Sequence, residues 1–345
     1  MSRTQTMTPR RQIALWLFAV AGLIFLMVLV GGLTRLTESG LSITEWKPVS
    51  GTLPPLSEEA WAEAFQRYQQ IPQYELVNKG MSLGEFKQIF WWEWAHRLLG
   101  RLIGFAFFIP FVFFIVTKRV DRQLAPHLAV MFLLGGAQGA LGWWMVKSGL
   151  SERIDVSQYR LVAHLGLATI IYVYMVWVAL GLWRPAKMEG LVSRRLWLSA
   201  IGLSVLVYTQ MLMGGFVAGL KAGHIYNSWP LMEGALVPDG LFAMHPAWRS
   251  LFEDMLTAQF MHRCIAYTLA VLVAWHLVAC GRSGSSLARQ GASWLAGGVA
   301  AQIALGIWTL LWVVPIPLGA AHQAGALIVL TLSLWHAQRL SAPAR

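Results

Sequence analysis

Apolar residues fall into eight long blocks of the 345-residue chain, and most of the charged residues lie between them. The blocks run roughly 13–34, 89–117, 124–147, 159–183, 196–220, 254–280, 292–314 and 317–338. Each reaches the roughly 20 residues that a helix needs to cross a bilayer. Open sheets cannot satisfy their backbone in lipid, so the pattern predicts an all-α membrane protein with eight transmembrane helices.

Composition agrees. Hydrophobic residues make up 57% of the chain, charged residues only 12%, and 18 residues are Trp, whereas a soluble domain carries about 25% charge. The net charge of +11 would fit a nucleic-acid binder, but its distribution excludes that class. The N-terminus, 118–122, 184–195, 281–290 and the C-terminus hold 14 Lys and Arg against Asp121 and Glu189, and the rest of the chain is slightly acidic. Positive charge on alternate connections places both termini in the cytoplasm. The first apolar run, Ile13–Leu33, is uncharged and lacks a small-x-small ending, so no cleaved signal is expected and a bacterial inner membrane is the expected location. Cys264 and Cys280 are sixteen residues apart on one helix, about 24 Å, too far to bridge. No disulfide framework is expected.

The chain repeats itself. "GGLTRLTESGLSITEWKPVSGTLP" (31–54) parallels "GGFVAGLKAGHIYNSWPLMEGALVP" (214–238), with Gly-Gly expected to end a helix and Trp46 and Trp229 to anchor the following loop. "EWAHR" (93–97) parallels "QFMHR" (259–263), "AQGALGWW" (137–144) parallels "AQIALGIW" (301–308), and "VAHLGLA" (162–168) parallels "AAHQAGA" (320–326). Four matches in one order indicate duplication. The expected domains are two tandem, pseudo-symmetric four-helix bundles, 1–183 and 196–345, joined by a cytoplasmic linker at 184–195 and related by an axis along the membrane normal. The long loops, 35–88 and 221–253, each end in a Ser-x-x-Glu capping box, Ser82 to Glu85 and Ser250 to Glu253. Residues 57–70 have amphipathic helical spacing, for a helix on the membrane surface or within the loop.

His96, His164, His262 and His322 occupy equivalent places on the second, fourth, sixth and eighth segments. An ionisable residue inside a membrane needs a partner. Four at matched depth, two per half, point to ligands. Zinc or copper would recruit a carboxylate, a thiolate or further imidazoles; haem is satisfied by two axial imidazoles in an apolar pocket. Gly100 and Ala266, four residues after His96 and His262, and Gly325, three after His322, share the histidine's face and leave room for a porphyrin.

Glu93 lies three residues before His96, where the second half has Gln259. A buried carboxyl can exchange a proton near neutrality, and a glutamine cannot. Glu93 is therefore a candidate catalytic group; the plainer reading pairs it with Arg97 or Arg101. Arg97 and Arg263 each follow a histidine and are candidates to hold haem propionates or to reach for the headgroups.

"GGLTRLTESGLSITEWKPVSGTLPP" followed by "WWEWAHRLLGR" resembles the haem A synthase family, and the likeness extends over all eight segments. The resemblance implies oxidation of the C8 methyl group of haem O to a formyl group, by two hydroxylations giving a gem-diol that loses water. It implies a haem b cofactor on His262 and His322, haem O on His96 and His164, and a catalytic role for Glu93. No cysteine stands in the long loops, so the chain resembles the cysteine-free branch. The implied partners are a haem O synthase, an electron acceptor such as quinone or a redox protein, and haem-copper terminal oxidases as users of the product. A homo-oligomer is compatible with all of this.

His276 and His336 complicate the picture. Each stands 14 residues after a second-half histidine, about 21 Å along the helix and on nearly the same face. Haems stacked in that way would make a dihaem b-type cytochrome exchanging electrons with quinone, the alternative reading. The first half has Pro110 and Val178 in register with them. A transporter would explain the duplication but not the four histidines. His127, His224 and His245 are expected to be exposed.

Overall fold

The computed structural model describes residues 7–47, 50–151, 153–183 and 193–341. Eight long helices carry the apolar blocks: α1 (Pro9–Leu36), α4 (Leu83–Val116), α5 (Leu124–Lys147), α6 (Gln158–Trp183), α7 (Arg194–Gly219), α9 (Met255–Arg282), α10 (Ser286–Leu311) and α11 (Ile316–Leu340). Each is long and apolar enough to cross a membrane, and the chain is a multi-pass membrane protein. Three short helices, α2 (Glu58–Tyr68), α3 (Pro72–Leu76) and α8 (Ser250–Glu253), lie in the two long loops. We call that side the loop end and the opposite side the terminal end. Most of the predicted linker, 184–192, lies outside the described residues.

Helix contacts follow the duplication. α1 packs on α4 and α6, as α7 packs on α9 and α11. Across the halves, α1 meets α11, α7 meets α6, and α6 meets α11. One apolar core runs through both halves, from Ile13, Leu17 and Val20 to Leu327, Leu330 and Leu334. Polar ties cross it: Gln323 Nε2 donates to the Val28 carbonyl at 2.8 Å, and the Tyr172 and Thr331 hydroxyls lie 2.7 Å apart. Gly32 leaves room there for the Gln323 amide, which a Cβ would displace. The halves differ around α5, which packs less closely on α6 than α10 does on α11. α9 and α10 pack closely, whereas their counterparts α4 and α5 touch sparingly.

Helix ends bear out some expectations and correct others. Ser82 and Glu85 form the predicted capping box, with Glu85 Oε2 accepting from the Ser82 N–H at 2.8 Å. Ser250 does not form the second. It is fully buried and accepts from the Met244 N–H, and Glu253 turns to Arg249 and Tyr159. Asp254 caps α9 instead, accepting from the Thr257 N–H at 2.8 Å. The Gly-Gly pairs at 31–32 and 214–215 do not end their helices, which continue to Leu36 and Gly219.

The predicted amphipathic helix is α2, capped by Ser57. It is packed on protein: Trp61 and Tyr68 are buried against Phe86 and Phe90 of α4, with Trp61 edge-on to Phe90 at 4.9 Å. Burying each such ring contributes about 2–3 kcal/mol, which fixes the loop over the mouth of the first bundle.

Candidate functional site

The four matched histidines sit in four copies of one arrangement. Each imidazole lies against a glycine of another helix, and the glycine is what admits the ring. A Cβ on Gly31 would stand 3.0 Å from His96 Cε1, and on Gly142 2.9 Å from His164 Cε1. In the second half the values are 3.1 Å for Gly214 and His262, and 2.7 Å for Gly306 and His322. Here the close approach of a side chain, not a turn, calls for glycine. This corrects the reading of the Gly-Gly pairs as helix ends.

Three of the four seats also carry a glutamine one turn before the glycine. Gln138 Nε2 donates to the His164 carbonyl at 3.0 Å and lies 3.1 Å from its Nδ1. Gln302 does the same for His322, at 2.7 Å and 3.1 Å. Gln210 donates to the His262 carbonyl at 3.0 Å and meets the ring at Nε2, 3.3 Å away. A side-chain bond to a helical carbonyl fixes the glutamine, and the glutamine then steadies the ring. The fourth seat has Met27 in that position, and the buried Nδ1 of His96 has no hydrogen-bond partner. These glutamines and glycines were overlooked as site residues. Their signal is a Gln-x-x-x-Gly spacing, present at 138–142, 210–214 and 302–306.

Within each half the two histidines stand on different helices, His96 on α4 with His164 on α6, and His262 on α9 with His322 on α11. The buried Nδ1 of His262 is unpartnered, like that of His96. Buried polar atoms without partners are rare and call for a ligand or a reason. Gly104 of α4 and Gly135 and Gly139 of α5 are exposed, with nothing within 4 Å of where a Cβ would stand. Imidazoles with buried, unpartnered ring nitrogens among apolar helices suit a haem, which His96 with His164 and His262 with His322 would hold. Gly325 does not serve that purpose as expected: a Cβ there would overlap the Gln302 amide, so it makes room for the glutamine.

Glu93 is buried beside His96, and it is ion-paired. Arg97 donates to its Oε1 from Nη2 at 2.6 Å and from Nε at 3.0 Å, and the Ser42 hydroxyl reaches Oε2 at 3.4 Å. Arg97 also donates to the carbonyls of Glu45 (2.8 Å) and Ile43 (2.7 Å). The guanidinium thus fastens the long loop to α4. The second half copies this without the charge. Arg263 donates to Gln259 Oε1 at 2.8 Å and to the carbonyls of Tyr226 (3.1 Å) and Leu231 (3.4 Å), while Gln259 Nε2 donates to the Ala222 carbonyl at 3.0 Å.

A second cross-link lies at the loop end. Lys221 of the second half pairs with Glu38 (2.6 Å) and Asp155 (3.0 Å) of the first. Burial alone would lower the pKa of this ammonium, but the two carboxylates outweigh it and hold the group above the ordinary lysine value.

The remaining histidines divide as follows. His127, His224 and His245 are exposed, as expected. His276 and His336 are fully buried, with their Nε2 atoms 2.8 Å apart. A haem between two imidazoles needs about 4 Å, two metal–nitrogen bonds of about 2 Å each. The pair is too close to bracket one.

The chain matches, over residues 14–334, the family model described as cytochrome oxidase assembly protein (COX15-CtaA). It is 60% identical to the Heme A synthase of Parvibaculum lavamentivorans over 95% of this chain and 94% of that protein. It is 52% identical to the Heme A synthase of Bradyrhizobium diazoefficiens over 96% of this chain and 92% of that one. For the Heme A synthase of Nitrosospira multiformis the identity is 53%, covering 96% and 94%.

Proposed function

The chain belongs to the cytochrome oxidase assembly protein family, and on that premise we propose that it is a haem A synthase. It oxidises the C8 methyl group of haem O to a formyl group. The observation that carries the reading is the asymmetry between two otherwise matched sites: each half holds a histidine pair, but only the first has a buried carboxylate beside it, Glu93 against Gln259.

In this reading His96 and His164 hold the iron of haem O, and His262 and His322 hold haem b. When bound, haem b supplies a one-electron couple through which electrons leave the substrate. Gln138, Gln210 and Gln302 orient the imidazoles by bonding each histidine's own carbonyl and lying against a ring nitrogen. Outer partners of that kind are worth about 10–100-fold in metal affinity. Glu93 handles the proton. Its Oε1 is held by Arg97, and the Ser42 hydroxyl and the backbone N–H groups of Ser42 and Ile43 also reach the carboxylate. Arg97 and Arg263 clamp the loops through backbone carbonyls.

The proposal puts the terminal end in the cytoplasm of a bacterial inner membrane and the two long loops outside, an orientation that the charge pattern supports. Haem O then comes from a haem O synthase, electrons pass to quinone or a redox protein, and haem A goes to haem-copper oxidases. The dihaem alternative loses its support with the direct contact of His276 and His336.

The test is Glu93→Gln. The second half already packs a glutamine against an arginine in this place, so the variant should fold. Extracted haems resolved by chromatography should show haem O and haem b retained and haem A absent. Retained conversion would remove Glu93 from the mechanism.

A further inference from the structure

At the terminal end of the second half, four helices bring together a group of side chains that the reaction does not use. His276 and Cys280 stand one turn apart on α9 and share a face. His336 reaches in from α11 and Ser199 from α7. His276, Cys280 and His336 are fully buried, or within 1% of it. His276 Nε2 lies 2.8 Å from His336 Nε2 and 3.4 Å from Cys280 Sγ. The three potential ligand atoms all fall within 4.8 Å of one another. Leu196, Ala200, Ala288, Ala292, Ala337 and Leu340 pack around them.

The hydrogen bonds define the protonation of His276. The Ser199 oxygen lies 2.9 Å from the Leu196 carbonyl and 2.8 Å from His276 Nδ1, and we assign its proton to the carbonyl, so that it accepts from Nδ1. Nδ1 therefore carries the proton, and Nε2 presents a lone pair to the centre of the cluster. Two donors compete for that lone pair, His336 Nε2–H and the Cys280 thiol. If His336 is protonated at Nε2, its other nitrogen is bare, and the buried Nδ1 of His336 indeed has no partner. Gly291 leaves space for that ring, where any Cβ would overlap Nδ1. One acceptor facing two donors, with a neighbouring nitrogen stranded, is a poor hydrogen-bond network. It is a good set of ligands.

We propose that His276, Cys280 and His336 form a binding site for a monovalent soft cation, cuprous copper. Thiolate and imidazole are ligands for copper(I) and zinc, and charge decides between them. Copper(I) with one thiolate is neutral, whereas zinc leaves a net positive charge in an apolar surround, which is costly. Zinc also takes four ligands, and among the described residues the group holds three. Binding releases the thiol proton: a copper–sulfur bond forms as the S–H bond is lost, with no change in oxidation state. A three-coordinate ion with bonds of about 2.0 Å to nitrogen and 2.3 Å to sulfur needs the two nitrogens about 3.4 Å apart. The rings must part by about half an ångström.

The site is not a relic of the duplication. The register of the repeat puts Pro110, Phe114 and Val178 at the places of His276, Cys280 and His336, and Trp16 at that of Ser199. In the first half this end is filled by rings, with Trp16 packed on Phe107 at 5.0 Å and on Phe114 at 5.5 Å. A groove of about 800 Å³ beside the site, lined by Ser286, Leu287, Arg289, Gln290, Trp294 and Arg339, opens to the surface. Leu287 borders both the groove and the apolar shell of the cluster.

The experiment uses the full-length, haem-loaded protein, incubated anaerobically with copper(I) against a chromogenic copper(I) chelator. Copper, zinc and iron are counted per chain, and copper X-ray absorption reports the ligands. The expected result is one copper per chain with one sulfur and nitrogen neighbours. Cys280→Ala should weaken binding by about 100-fold and Ser199→Ala by about tenfold. Cys264→Ala should leave it unchanged, and iron content should not move in any variant. Copper bound without sulfur, equal binding by Cys280→Ala, or a preference for zinc in direct competition would overturn the proposal. The sulfur signal is read on the unmutated protein, so the answer does not depend on how well a variant folds.

Discussion

Arg97 and Arg263 do the same mechanical work in the two halves. Each reaches back one turn along its own helix and outward to two loop carbonyls, tying a long loop to the helix that carries the histidine. Their near partners differ, Glu93 in one half and Gln259 in the other. The second half shows that the clamp holds without a carboxylate. Architecture therefore does not account for the charge at Glu93, and a buried charge kept where an amide would serve needs a chemical reason. The same test sorts the rest of the molecule. Features present in both halves, the glycine seats above all, belong to holding a ligand. Features present in one, Glu93, Met27 and the sparing contact of α4 with α5, belong to what each half does with it.

The strongest way to break this comparison is to exchange the two residues. Glu93→Gln should lower conversion by about 100-fold or more, within the range for a lost acid–base group, as read by haem chromatography. Gln259→Glu should leave it within about twofold, and a second-half carboxylate that restored turnover to Glu93→Gln would show that the halves are interchangeable. Next come the glutamines. Gln302→Ala should weaken haem retention by about 10–100-fold, measured by transfer to an apo-haem acceptor, and Gln138→Ala should do so only for the substrate. A smaller effect is expected from Met27→Gln, which supplies the partner that His96 lacks: haem O should bind several-fold more tightly, seen as a slower off-rate. The smallest concerns the joint between the halves. Lys221→Met should cost under about 1 kcal/mol, since the group is partly solvated. The folded pKa of Lys221 is raised, so its contribution is complete below the ordinary lysine pKa and is lost as the pH climbs through the raised value. Thermal melts of the two proteins should differ at pH 7 and converge at strongly alkaline pH.

Much of this was legible in the sequence, and the failures are local. Eight apolar blocks became eight helices, because the need to satisfy backbone in lipid leaves few alternatives. Gly31 and Gly214 were misread because glycine pairs mark helix ends in general, and here they mark the approach of an imidazole from another helix. Ser250 matched the capping spacing but is buried in the loop, and the cap fell to Asp254, which sequence spacing alone does not distinguish. The pairing of Glu93 with Arg97 was one of two options that helical spacing allowed; the path of residues 43–45 across the guanidinium decided it. Gln138, Gln210 and Gln302 escaped notice because a single glutamine in an apolar helix carries little information, although its recurrence four residues before a glycine did. His276 and His336 share the spacing of stacked haem ligands, and only the distance across the helices excludes that use.

The sparing contact between α4 and α5 bears on time as much as on space. A closely packed slot releases its contents only through local unfolding, which in a well-formed core is slow. A slot whose side seam is already loose exchanges with breathing of its helices, on the microsecond-to-millisecond scale. On the proposed function, the first half would be a visitor's berth and the second a permanent mooring, with the lifetime of a molecule in each set by how tightly one pair of helices meets.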